Sequence, residues 1–192
     1  MQFNNNSSRW YNTSFMQLWP SYSSLPLLYN PYFTAIIDIE AIVVPDVADI
    51  IEQVGIYIFN NITGVGVVKK HIIVEQTQTS DELMLKYKIS KEAIDLAITN
   101  YMKITGDKRY IHPKSPTTKC WGVVKRITSS LLLHYPSYVW AKGRDLEQRA
   151  FPFLYINELA LYGCPAYPKG IPHNPLIECM YFSTYAPIPT YC

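Results

Sequence analysis

The sequence predicts an α/β domain in which a five-stranded sheet is flanked by helices. Three strand-length apolar runs come first, beginning with the β-branched Phe33 to Val44. Apolar residues then recur at helical spacing after Ser90 and again after Pro116. From Tyr138 onward, strand and helix signals alternate.

Phe33 to Val44 (FTAIIDIEAIVV) ends at Pro45 and suits a buried strand. Gln53 to Phe59 and Val67 to Val74 read as the second and third strands, and Asn60-Asn-Ile-Thr-Gly64 joins them in an antiparallel meander. Ser90 caps a helix whose apolar residues Ala93, Ile94, Ala97, Ile98, Tyr101 and Met102 fall at helical spacing, and Gly106 lies just past its end. A second helix starts at Pro116, turns Cys120, Val123, Val124, Ile127 and Leu131 to one side, and stops at Tyr135-Pro136. Tyr138 to Ala141 is a short strand, and Lys142-Gly143-Arg144 turns the chain. Asp145 and Gln148 have the spacing of a capping box, which puts Glu147 in the first turn of a helix that Pro152 ends. Phe153 to Leu161 reads as the fifth strand, and the last helix begins at Asn174-Pro175 with Glu178 about one turn in.

Residues 1–31 hold a single charge, Arg9, and no period, so they read as an extended or flexible arm. Residues 32–185 form the domain and 186–192 a Pro-rich tail. At 192 residues and 48% apolar, the chain is long enough for one core and is not disordered throughout. A net charge of +2 is too balanced for a histone-like tail. No run reaches the ~18 apolar residues of a membrane span, so no membrane partner is expected. The N-terminus lacks the basic and apolar regions of a secretory signal, and Cys120, Cys164, Cys179 and Cys192 read as reduced thiols. The expected location is inside a cell, in cytoplasm or nucleus.

The chemistry concentrates in acids. Asp38 and Glu40 lie two apart on one strand and so share a face. Inside an apolar strand, two unpaired carboxylates are costly unless a cation or another partner offsets them. Taken singly, each acid has a plainer reading: Asp-x-Glu as a solvated strand edge, and Glu147 and Glu178 as first-turn acids favoured by the helix dipole.

The three motifs together resemble the DEDDh exonucleases, the proofreading group of the RNase H-like superfamily. Asp38-Ile39-Glu40 matches the Asp-x-Glu pair on the first strand. Val139-Trp-Ala-Lys-Gly-Arg-Asp-Leu-Glu147-Gln-Arg-Ala-Phe151 matches the strand, turn and helical acid of the second motif. His173-Asn-Pro-Leu-Ile-Glu178 matches the third, a His followed five residues later by an acid. The resemblance covers roughly residues 33 to 185, with Glu at positions 147 and 178 where the family usually carries Asp. Similar variants occur in nuclease-like proteins of viruses and mobile elements, so a viral origin is among the readings.

That resemblance implies an RNase H-like, mixed five-stranded sheet and metal-dependent 3′–5′ hydrolysis of single-stranded DNA or RNA. Two Mg²⁺ or Mn²⁺ ions ~4 Å apart would stabilise both ends of the cleaved bond. Asp38 would bridge the ions, Glu40 and Glu178 would hold the nucleophile side, and Glu147 would act through water. His173 would take the proton of the attacking water. The alternatives are a catalytically inactive RNase H-like module that binds nucleic acid or protein, and a structural, virion-associated protein whose arm and tail drive assembly.

Between residues 103 and 126, Lys103, Lys108, Arg109, Lys114, Lys119, Lys125 and Arg126 face one acid, Asp107. With Tyr101, Tyr110 and Trp121 interleaved, this stretch reads either as a nucleic-acid track or as a solvated surface. Cys164, His173 and Cys179 make a weak zinc set, since no Cys-x-x-Cys pair accompanies them. No glycine-rich phosphate loop is present.

Overall fold

The computed structural model of the chain describes residues 32–44, 46–75, 80–107 and 119–189. Strands β1 (Phe33–Val44), β2 (Ala48–Asn60) and β3 (Gly66–Ile73) form the meander, both pairings being antiparallel. Asn60 organises the β2–β3 turn by accepting from the backbone N–H groups of Ile62 (2.8 Å) and Thr63 (3.0 Å), and Gly64 takes the left-handed φ of 69° that the turn requires. Two helices follow, α1 (Ser80–Tyr87) and α2 (Lys91–Thr105), and then α3 (Trp121–His134). Strand β4 (Ser137–Ala141) returns parallel to β1. Helix α4 (Asp145–Ala150), the two-residue β5 (Asn157–Glu158) and α5 (Pro175–Ser183) complete the described chain.

The strand order is β3-β2-β1-β4-β5, a mixed five-stranded sheet with helices on both faces, as the sequence predicts. The central β1 divides its side chains by parity. Ala35, Ile37 and Ile39 join Val124 and Leu132 of α3 on one face. Ile36 packs with Cys179 and Phe182 of α5 on the other, where Ile42 and Val44 meet α1 and α2. Asp38 and Glu40 share this second parity, so they stand on the face that carries α2 and α5. No helix among the described residues is long and apolar enough to cross a membrane.

Three expectations need correction, and one helix is new. The fifth strand does not run from Phe153 to Leu161. Leu154, Ile156 and Leu159 are buried as their apolarity implies, but only Asn157 and Glu158 pair with β4, and Leu159–Tyr162 is a 3₁₀ turn. The capping box is also absent. Asp145 is the first residue of α4, and Gln148 instead reaches forward, donating to Leu154 O (2.7 Å) and accepting from Ile156 N (3.3 Å). This side chain supplies the backbone bonds that a longer ladder would have made. Helix α3 starts at Trp121, after Lys119 has formed a parallel bridge with Val74 and Cys120 has taken the extended N-cap conformation; Pro116, the expected start, lies outside the described residues. Helix α1 was not foreseen, since its eight residues are too few for a period to stand out.

Candidate active site

Three separate lengths of chain meet above the centre of the sheet. On β1, Asp38 and Glu40 lie opposite Gly55 and Gln53 of β2. Glu52 is the extra residue of a bulge there, since Glu40 faces Gln53 while Ala41 faces Ile51. Glu147 arrives from the first turn of α4, which starts where β4, the parallel neighbour of β1, ends. Glu178 arrives from α5, whose start is fixed by Asn174, an N-cap accepting from Leu176 N (3.1 Å) and Ile177 N (3.2 Å).

Gly55 sets how closely α5 approaches. A Cβ at this position would lie 2.3 Å from both the carbonyl carbon and oxygen of Pro175. Only the bare backbone lets the helix start press on β2 beside Asp38. A glycine inside a strand signals such an approach, but its partner cannot be read from the sequence.

The four acids are buried together: Asp38 is 8% exposed, Glu147 and Glu178 4% each, and Glu40 is half-buried. Burial pushes the Asp38 carboxyl well above the usual carboxylate range, and Glu178, Glu147 and Glu40 add to the shift by repulsion. Glu147 is pushed up to about 8, chiefly by burial, although the backbone N–H groups of Glu147 and Ile39 favour its charged form. Glu178 is also raised to about 8, by burial first and then by the Glu40 charge and a hydrogen bond with Glu40. Burial raises Glu40, with His173 opposing.

His173 stands at the mouth of the cluster, its side chain 37% exposed. Its Nδ1 lies 3.2 Å from Glu40 Oε1 and 3.0 Å from Glu178 Oε1, and its backbone N–H donates to Ile104 O (3.1 Å) at the end of α2. The contact with Glu178 has ion-pair distance without hydrogen-bond alignment, so Glu178 Oε1, like Asp38 Oδ2, is buried with no hydrogen-bond partner. Ligand atoms of Glu40, His173 and Glu178 lie within 4.8 Å of one another. Clustered carboxylates with orphaned buried oxygens are the donor set of a hard divalent cation, so the residues present fit the expected metal.

The structure therefore brings Asp38, Glu40, Glu147, His173 and Glu178 into one site. The zinc set is not assembled: Cys164 and Cys179, the latter on α5, are buried in the apolar cluster between α5 and the sheet, while His173 sides with the acids. Of the basic residues, Lys108, Arg109 and Lys114 lie outside the described residues, as does Tyr110. Lys103 is exposed on α2, on the face of the acids, whereas Lys125 and Arg126 belong to α3 on the opposite face, with Lys125 Nζ 5.9 Å from the Trp121 ring. Lys119 is exposed beside β3. Tyr101 is not available for stacking. It is 3% exposed, donates to Asp107 (2.8 Å) and accepts from Gln53 (2.8 Å), whose other amide atom meets His71 (2.7 Å). This polar network beside Glu40 had no signal in the sequence, nor did Tyr167, whose ring lies 5.4 Å from that of His173.

No model of a known protein family matches the chain, and no curated protein does. Among solved structures, one described as 3′-end-specific recognition of histone mRNA stem-loop by 3′-exonuclease is similar at 16% identity and a TM-score of 0.37, over 63% of this chain and 50% of that one. The chain thus spans half the length of that protein. A full-length 3′-exonuclease is similar at 14% identity and a TM-score of 0.45, over 81% of this chain and 80% of that one.

Proposed function

We propose that this protein is a metal-dependent 3′–5′ exonuclease acting on single-stranded nucleic acid. The observation that carries the reading is the convergence of four carboxylates from β1, α4 and α5 around orphaned buried oxygens, with a histidine at the mouth. Bound Mg²⁺ or Mn²⁺ would supply Lewis-acid stabilisation of the phosphoryl oxygens and a more acidic water. Asp38, Glu40 and Glu178 would hold the cations directly, with Glu147 completing the set. Apolar packing beneath the acids keeps their carboxylates fixed, which limits reorganisation during reaction. His173 is anchored by its backbone to α2 while its ring reaches the acids through Nδ1, a placement that suits a base collecting the proton of the attacking water. Lys103 stands on the face of the site as a contact for phosphate, and Lys119, Lys125 and Arg126 would meet more distant parts of the strand.

The test is degradation of end-labelled single-stranded DNA and RNA with Mg²⁺, with Mn²⁺ and with chelator. A ladder shortening from the 3′ end, dependent on metal and reduced by several orders of magnitude in Asp38→Asn, is the expected result. A folded wild-type protein that binds no divalent cation by calorimetry and leaves both substrates intact would instead establish the non-catalytic binding module.

A further inference from the structure

The tyrosines of the last third of the chain are not scattered. From the His173 ring a row of aromatics leads away from the acids: Tyr167 at 5.4 Å, then Tyr181 at 5.5 Å from Tyr167, then Tyr185 at 5.5 Å from Tyr181. We propose that Tyr167, Tyr181 and Tyr185 form a stacking track that holds the bases of a single-stranded nucleic acid whose 3′ end lies in the acid cluster. The proposal rests on the exonuclease reading for its direction and adds the means by which the strand is gripped.

Successive rings are inclined by 59°, 84° and 57°, so edges meet faces within the row, and buried Phe182 makes further edge contacts with Tyr167 and Tyr181; the area open to a base is the part of each ring that solvent reaches. The outermost ring, Tyr185, is 40% exposed, and Tyr167 and Tyr181 are partly so. The Tyr181 and Tyr185 hydroxyls approach to 3.4 Å, which ties the two rings at their tips. Adjacent, partly exposed rings offer a base a continuous apolar surface to cover. This row is continuous with His173, so a chain whose terminal phosphodiester lay among the acids would extend its preceding bases across it. Every base has a π-face, so such a grip tolerates any sequence.

The charges specify the mode of binding. Helix α5 carries one charged residue, Glu178, and no Lys or Arg. Of the three rings only Tyr181 lies on that helix, and the exposed Lys169 follows Tyr167 by two residues, so at Tyr181 and Tyr185 recognition depends on bases more than on phosphates, with a shallower salt dependence than a basic groove would give.

The experiment compares a labelled oligothymidylate with an abasic strand of equal length, by fluorescence anisotropy on the full chain in chelator, so that no hydrolysis occurs. Wild type should bind thymidylate about tenfold or more tightly than the abasic strand. Tyr185→Leu, which keeps apolar area but removes the ring, should lose most of that difference, and Tyr185→Phe should retain it. Circular dichroism checks that both variants are folded, and Tyr181→Leu repeats the test at the next ring. Equal affinity of wild type for the two strands, or an undiminished preference in Tyr185→Leu and Tyr181→Leu, would overturn the track. The binding contrast is read without metal. Its absence in a wild type that still hydrolyses strands refutes the track alone, and its presence in a wild type that hydrolyses nothing refutes only the catalytic reading.

Discussion

Replacing Glu147 with Gln should make the metal-free protein more stable, and by an amount that depends on pH. The Glu147 carboxyl is 4% exposed and rises from the ordinary 4.5 to about 8, with burial the first cause. A carboxyl raised on folding holds its proton in the native state while the unfolded chain has lost it. Stability is therefore full below about pH 4.5, falls as pH rises, and is lowest above about pH 8. At ~1.4 kcal/mol per pH unit, the whole interval corresponds to about 5 kcal/mol, an upper bound because a buried site relaxes and admits water when charged. Glu147→Gln has no proton to lose, so its advantage over wild type should be close to zero near pH 4.5 and reach about 2 to 5 kcal/mol above pH 8. Urea unfolding in chelator at several pH values measures this as a shift in midpoint at constant slope. Excess Mg²⁺ should reverse the order at high pH, since a ligand that binds only the native state stabilises it, and wild type has the full donor set. Equal stability of the two proteins at high pH without metal would refute the claim that burial makes a charged Glu147 costly to the fold.

Two further substitutions probe how the site is built. Gly55→Ala puts a methyl group 2.3 Å from the Pro175 backbone, which cannot rotate away, so α5 must shift. We expect a loss of roughly 1 to 3 kcal/mol in urea unfolding, and a fall of about a hundredfold in hydrolysis as Glu178 moves by ~1 Å. A variant that loses neither would mean that α5 is not seated as described. His173→Ala should slow hydrolysis by roughly 10² to 10⁴ while calorimetry still detects divalent cations. An unchanged rate would remove His173 from the proton transfer.

The sequence alone was sufficient for what depends on short-range physics. The apolar run Phe33–Val44 became a strand with those bounds. Ser90 and Gly106 cap α2 as their chemistry requires, Ser90 Oγ accepting from Ala93 N and Gly106 taking φ 70°. Asn174-Pro175 opens α5. Caps, turns and periodicity involve residues within a few positions of one another, so residue order encodes them. The spacing of Asp38, Glu40, Glu147, His173 and Glu178 was legible through a family resemblance, not through any local rule. Where local signals failed, distant partners decided. Leu154 and Ile156 are as buried as strand residues, yet the Gln148 side chain supplies their backbone bonds, so β5 shrinks to two residues. Only the packed fold reveals that Gly55 admits the start of α5, that Tyr101 is consumed by Gln53 and Asp107, and that a basic stretch of sequence is divided between helices on opposite faces of the sheet. Each of these depends on which residues far apart in the chain share a surface, and a sheet whose central strand pairs with β2 and β4 makes that choice through its topology. The same topology sets four carboxylates against one another, and their raised affinity for protons is a property of that assembly, carried by none of them in sequence.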